Sequence, residues 1–351
     1  MSPVCLVSIK EESLDQVLTE ALRVQYGLSG PLRFERPRRG YSSETWIVTI
    51  PGPKRVVLQR YPESFTDAKV RFTHSLRQYL KENRFPVAGV IQTLKGDSCI
   101  QIASRYYALS EYLQGVMMTR PLSRWLRAST NAVAGRTLGW FHQLMKDFQP
   151  AGEEPAPNLG YSWFRNEFSR YRQEISRRSS TEFDRLVLQS LEGIEIHLEK
   201  LGVMLDPKKR DLQKAVIHGD FGPPNVLFLN GKVVGVLDLN SARRGARVED
   251  VAYALATFSQ WAIRWSNPIL HSGMGSRLLH AYQEIYPLTS QELELLPYLM
   301  IYGRLKTSHW ILMQYYDRNL EKSARWFLDN LKLLQWMQTH EAQLKALCRG
   351  V

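Results

Sequence analysis

Apolar side chains at Leu14, Val17, Leu18, Ala21, Leu22 and Tyr26 follow a helical period and predict a helix over residues 14–26, closed by Gly27 as a C′ glycine. Strand-like runs follow at 32–36 and 45–50, around PRRGYSSE, and a third at 55–61 (RVVLQRY). Residues 65–83 return to a helical period, with Val70, Phe72, Leu76, Tyr79 and Leu80 available for burial. The stretch up to Gly115 reads as strands around a Lys95-Gly96-Asp97 turn. From Pro121 onward the pattern becomes helical, with a long amphipathic helix at 132–148, a linker-like GEEPAPN, one or two helices over 163–201 and a basic loop at 207–214. Two β-type runs, 225–229 and 232–238, are joined by Asn230-Gly231, the strongest short hairpin signal. Helices at 251–265, 276–285, 290–315 and 321–347 close the pattern.

A chain of 351 residues suits two modest domains or one bilobed enzyme. Cys5, Cys99 and Cys348 are few, odd in number and scattered, so no disulfide framework or zinc pattern is expected and a reducing cytoplasm fits best. The N-terminus lacks the basic-then-apolar order of a secretory signal, and no apolar run of about 18 residues predicts a membrane-spanning helix. The formal charge is +12, but the Arg and Lys are dispersed and match no nucleic-acid motif. A solvated basic surface is therefore expected, with neither nucleic acid nor membrane as partner. The same charge weighs against a polycationic acceptor, which would favour an acidic pocket.

The chemistry-bearing stretch is VIHGDFGPPNVLFLNGKVVGVLDLNSARRGARVED, residues 216–250. Phosphoryl transfer needs a carboxylate near the acceptor hydroxyl, plus an amide and a second carboxylate on the metal that holds the nucleotide phosphates. His218, Asp220 and Asn225 have the H-x-D-x-x-x-x-N spacing of a kinase-type catalytic loop, with Gly219 where Arg is usual. Pro223 and Pro224 remove two backbone donors and keep this part a loop. A two-residue turn would pair Leu229 with Lys232 and set Asn225 opposite Val236. Asp238 would then leave the hairpin on Asn225's face, roughly 7–8 Å away on the diagonal.

These residues resemble the aminoglycoside phosphotransferase superfamily of small-molecule kinases, which includes type II homoserine kinases, choline kinases and N-acetylhexosamine kinases. The resemblance implies an α+β, protein-kinase-like two-lobed fold, with a small mainly β N-lobe (1–112) and a larger mainly α C-lobe (113–351). It implies ATP, Mg²⁺ and a small hydroxyl-bearing acceptor of unknown identity, a sugar or an amino alcohol. Carried over by position, Asp220 becomes the catalytic base, and Asn225 and Asp238 the metal ligands. Asp250 matches an acidic residue at the start of the family's next helix and is read as structural. Asn240 stands where relatives often have a second acid, so a second metal is not implied. SARRGAR reads as a solvated loop.

GYSSETWIVTIPGPKRVVLQRY is similar to N-acetylhexosamine kinases, and the segment from LRQYLKENRF to EYLQG to type II homoserine kinases. The nucleotide contacts so implied are Gly40 and Ser42 in the covering loop, Gln59 on the third strand, and Glu111 and Leu113 at the hinge. Gln59 replaces the lysine that usually pairs with the α/β-phosphates. An amide donates a hydrogen bond without charge, and Arg38, Arg39 or Arg60 could supply the cation. Tyr302, Arg304 and His309 are candidate acceptor residues, while His142 is read as a packed or surface histidine rather than a functional one. The rival expectation is a catalytically silent kinase fold that binds a ligand or partner. Oligomeric state is not legible.

Overall fold

The computed structural model describes residues 11–37, 44–52, 54–118, 124–152, 160–177, 181–261 and 269–349. The chain divides into two compact units: Met1–Gln114 with Gln149–Glu154, and Gly115–Phe148 with Pro155–Val351.

In the first unit, helix α1 (Glu11–Tyr26) is followed by strands β1 (Arg33–Glu35), β2 (Glu44–Ile50) and β3 (Lys54–Arg60) and helix α2 (Asp67–Glu82). Strands β4 (Val90–Ile91), β5 (Ile100–Ile102) and β6 (Arg105–Glu111) complete an antiparallel sheet of order β1-β2-β3-β6-β4, with β5 also on β6. Strand alternation decides which side chains meet the helices. Val56 and Leu58 of β3 face Leu18 and Leu22 of α1 in one core. Gln59 has the opposite parity and meets α2 on the other face. The Thr66 side chain caps α2 by accepting from Lys69 N at 3.2 Å.

The second unit begins with β7 (Val116–Met117) and the helices α3 (Arg124–Leu144), α4 (Tyr161–Ser176) and α5 (Glu182–Arg210). Next come β8 (Lys214–Ile217), β9 (Val226–Leu229), β10 (Lys232–Val236), β11 (Arg243–Ala246) and α6 (Arg247–Phe258). The short pair β12 (Gln260–Trp261) and β13 (Ile269–Leu270), then α7 (Ser272–Ile285), α8 (Ser290–Tyr316), α9 (Ser323–Thr339) and α10 (Glu341–Arg349) close the chain. Helices α3 and α7 come together at Gly135, where an added Cβ would lie 2.1 Å from the Leu278 carbonyl oxygen. A side chain there would force them apart.

Several sequence expectations are corrected. The basic loop expected at 207–214 is helical to Arg210, with Pro207 inside α5. Lys208, Lys209 and Arg210 sit in the last turn, where cations suit the helix dipole. SARRGAR is not a solvated loop: residues 243–246 pair with β8, Arg243 bonds Glu249 at 2.8 Å, and Arg247 is buried against Glu292 at 2.6 Å. The single helix expected over 321–347 is broken at His340, the C-cap of α9.

Candidate active site

The catalytic stretch lies between β8 and β9. His218 is fully buried; its Nε2 is 3.0 Å from the Leu237 carbonyl oxygen, and its Nδ1 accepts from Asp220 N at 3.2 Å. One ring thus ties the loop to the strand end that carries Asp238. Gly219 has φ +79°, and a Cβ there would sit 2.3 Å from the Ser241 carbonyl oxygen. Backbone conformation and space both demand glycine at this position. The backbone N–H groups of His218 and Gly219 donate to Asp250, at 2.6 and 2.8 Å, and His142 Nε2 lies 3.2 Å from the same carboxylate. Burial pushes the Asp250 carboxyl up, but the His142 bond and the backbone donors outweigh it and hold it below its usual range. Asp250 and His142 are accordingly structural, as read from the sequence.

Asn225 Nδ2 donates to the Asp220 carbonyl oxygen at 2.9 Å and to Asp220 Oδ2 at 2.8 Å. The amide oxygen therefore points away from Asp220. Burial pushes the Asp220 carboxyl up to about 6, with the Asp238 charge adding to the rise and bonds from Tyr253 and Asn225 opposing it. A base poised there suits proton abstraction near neutral pH. Tyr253 of α6, absent from the sequence-derived candidates, is held protonated by burial and by Asp220 and so remains a donor. Its ring lies against the loop, with Cε1 3.3 Å from where a Gly222 Cβ would stand.

The hairpin arithmetic needs correction. Lys232 pairs with Leu229 and Val233 with Phe228, but Gly235 pairs with Leu227, so Val234 is bulged. Val236 then faces Val226 rather than Asn225, and Leu237 N donates to the Asn225 carbonyl at 2.8 Å. Asn225 belongs to a 3₁₀ turn, Pro223–Asn225, and Asp238 leaves the strand in the left-handed region, φ 56° and ψ 63°. The charge of Asp238 is felt at Asp220 because of this bulge and this unusual backbone conformation, not through strand parity. Such a conformation is costly for a non-glycine residue and concentrates at functional sites.

Among the described residues, no group of three or more His, Cys, Asp or Glu could hold a metal. The available set is an amide oxygen and a carboxylate. Asn240 lies two residues beyond Asp238, with both side-chain polar atoms buried and without hydrogen bonds. An all-oxygen set of so few protein ligands fits a hard cation that keeps several waters, the habit of Mg²⁺.

In the first unit, Gln59 is buried on β3, and its Oε1 accepts from Arg77 Nη2 of α2 at 3.1 Å. Arg60 is ion-paired with Glu44. Glu111 is committed within the unit: its carboxylate accepts from Gly89 N at 3.0 Å and pairs with Lys81. Leu113 is half-buried in the chain between β6 and β7. Gly40 and Ser42, like Arg38 and Arg39, lie outside the described residues.

Of the acceptor candidates, His309 is packed among Trp163, Phe164, Phe168 and Tyr171. Tyr302 is buried near Gly202. Arg304 is half-buried, and its Nε is buried without a hydrogen bond. Arg77 and Tyr253 went unnoticed. The available signals were a cation within the buried Thr73–Arg77–Leu80 row of α2, and a tyrosine three residues after Asp250.

A buried carboxylate in a glycine-turned loop, an amide bonded to it and a mixed α+β fold are the features of a small-molecule kinase. The model of the phosphotransferase enzyme family (APH) matches residues 33–286, and the chain belongs to that family. It is 26% identical over 295 residues to a homoserine kinase of Caulobacter vibrioides, covering 84% of this chain and 85% of the relative. Two solved structures share its fold. A microcompartment-associated aminopropanol kinase aligns with TM-score 0.65 at 14% identity, over 94% of this chain and 98% of that one. A spectinomycin phosphotransferase in complex with ADP and spectinomycin gives 0.65 at 13%, over 93% and 98%. The reaction class is ATP-dependent phosphoryl transfer to a small-molecule hydroxyl.

Proposed function

We propose that the protein is an ATP- and Mg²⁺-dependent phosphotransferase whose acceptor is a hydroxyl of a sugar or an amino alcohol. The observation that carries this reading is Asp220, gripped by Asn225 Nδ2 at 2.8 Å and exposed to the charge of Asp238. Asp220 orients the acceptor hydroxyl and takes its proton. The Asn225 amide oxygen and the Asp238 carboxylate would hold Mg²⁺, with Asn240 beside them. When bound, Mg²⁺ neutralises charge on the transferring phosphoryl group, which in a loose transition state is most of the catalysis required. Homoserine kinase and aminopropanol kinase likenesses favour an amino alcohol; the likeness of the first unit to N-acetylhexosamine kinases favours a sugar.

Arg77 answers the loss of the third-strand lysine. Kinases of this type usually pair a lysine on that strand with a glutamate on the following helix. Here the polarity is exchanged, with a neutral amide on β3 and the cation on α2. The silent-kinase reading rests on Gln59 and on a covering loop with a single glycine, Gly40; the buried Arg77 beside Gln59 answers the first by supplying a charge for phosphate. ATP consumption across sugars, amino alcohols and amino acids tests the proposal, together with thermal shift by ATP with and without Mg²⁺. Mg²⁺-dependent stabilisation and turnover with one acceptor class are expected; no stabilisation would leave a ligand- or partner-binding fold.

A further inference from the structure

We propose that two copies of the chain join edge to edge through β1, antiparallel about a two-fold axis at Phe34, so that their sheets run on into one another. The proposal concerns the first unit only and is independent of the kinase reading. β1 is the end strand of the order β1-β2-β3-β6-β4: β2 takes one side of it, and among the described residues no strand takes the other. An open edge presents a row of unpaired N–H and C=O groups, a template for a further strand. Between α1 and β1 lies a groove of about 400 Å³, with Asp15, Thr19 and Arg23 of α1 and Leu32 and Phe34 in its lining.

What the edge fits is decided by its charges. Strand alternation sends Leu32 and Phe34 to the groove, and Arg33 and Glu35 to the opposite, exposed face. Among the described residues, neither Arg33 nor Glu35 has an ion-pair partner. A second β1 laid antiparallel with Phe34 opposite Phe34 sets Arg33 of each copy against Glu35 of the other. A shift of two residues either way opposes Arg33 to Arg33 or Glu35 to Glu35, and a shift of one turns the apolar face over. The charges therefore select one register. An antiparallel ladder bonds every second opposed pair, so this register supplies paired hydrogen bonds at Phe34 or at both Arg33–Glu35 levels.

The same symmetry holds on α1. Asp15, Thr19 and Arg23 follow one another at one-turn spacing, acid first and base last. An antiparallel copy therefore brings Arg23 toward Asp15 across a centre at Thr19. Arg23 Nη2 donates to the Gly30 carbonyl oxygen at 3.1 Å, which steadies the side chain and uses only part of its fork. Both elements are thus complementary to themselves, the pattern a two-fold dimer requires. A strand from another protein would call for neither charge reversal. β1 is only 3 residues long, so the dimer is weak and concentration-dependent rather than permanent.

Sedimentation equilibrium of the full chain over a series of concentrations reads the association directly. Wild type should pass from monomer to dimer as concentration rises. Arg33→Glu and Glu35→Arg each set like charges against each other across the axis, and each should raise the dimer dissociation constant about tenfold or more. An equimolar mixture of the two single variants should regain the dimer, because acid then meets base at both levels. The double variant Arg33→Glu with Glu35→Arg should regain it alone. Recovery of this kind separates a lost interface from a misfolded chain. A wild type that stays monomeric at every concentration, a dimer equally strong in both single variants, or a mixture no tighter than either variant alone would each overturn the inference. Growth beyond a dimer would do the same, because a two-fold pairing closes on itself.

Discussion

At the scale of single residues, the site depends on side chains whose usual behaviour has been altered by burial. Asp220 is a carboxylate held near neutrality, and Tyr253 is a phenol kept protonated beside it. Replacing Asp220 by Asn leaves the Asn225 contact possible but removes the proton acceptor. The expected outcome is a loss of about 10²-fold or more in kcat with nucleotide affinity largely kept, checked by steady-state kinetics beside calorimetry. Undiminished turnover would refute the role of base. Arg77 belongs to the same scale. Arg77→Ala should weaken Mg²⁺-ATP binding by about tenfold or more, the value of one charge-assisted contact to phosphate. The double exchange Gln59→Lys with Arg77→Glu restores the usual polarity and should recover much of the loss. Equal affinity in wild type and Arg77→Ala would show that the cation acts only on Gln59.

At the scale of elements, the hairpin and the buried network of α2 show how local structure serves the site. The bulge at Val234 shifts the register by one residue and, with the left-handed Asp238, redirects the second carboxylate. In α2, His74 lies 2.8 Å from the Tyr61 hydroxyl and 2.7 Å from Ser98 Oγ, and burial, aided by Arg77, lowers its pKa to about 3. The unfolded chain binds this proton below about pH 6.5, whereas the folded state refuses it until about 3. Folding stability should therefore fall as pH drops through that window, by at most about 1.4 kcal/mol per unit from this group. Melting temperatures of wild type and His74→Gln between pH 7 and 4 check it, and the variant should show a shallower decline. Parallel curves would mean that His74 does not contribute the slope.

At the scale of the whole molecule, no described helix is long and apolar enough to cross a membrane. Part of the basic content is paired within the second unit, Arg170 with Asp317, Arg172 with Glu195 and Arg247 with Glu292; each pair takes one acid as well, so the net charge of +12 is left unchanged. Ligand binding acts on the same scale, because a nucleotide held only by the folded chain stabilises it by mass action. Mg²⁺-ATP at 100 times its dissociation constant should raise stability by about 2.7 kcal/mol. The shift should disappear in Asp238→Asn if that carboxylate holds the metal; an unchanged shift would exclude it.

The sequence by itself determined the family and the mixed α+β class, and it singled out Asp220, Asn225 and Asp238 as candidates. These follow from residue identity at short spacing and from side-chain periodicity, both local properties of a chain. Asp250 is legible as structural because a carboxylate at a helix start has an ordinary capping role, whereas the full burial of His142 against it is settled only by packing. Only the tertiary structure decided the partners. A bulge cannot be read from an alternating apolar run, since Val233, Val234 and Val236 suit either register. The pairing of Gln59 with Arg77 joins residues 18 apart on different elements, and the burial of Arg304 Nε without a hydrogen bond depends on how α8 packs. Charge meeting charge, or failing to, is a matter of distance in space, and distances between elements are fixed by packing rather than by the order of residues.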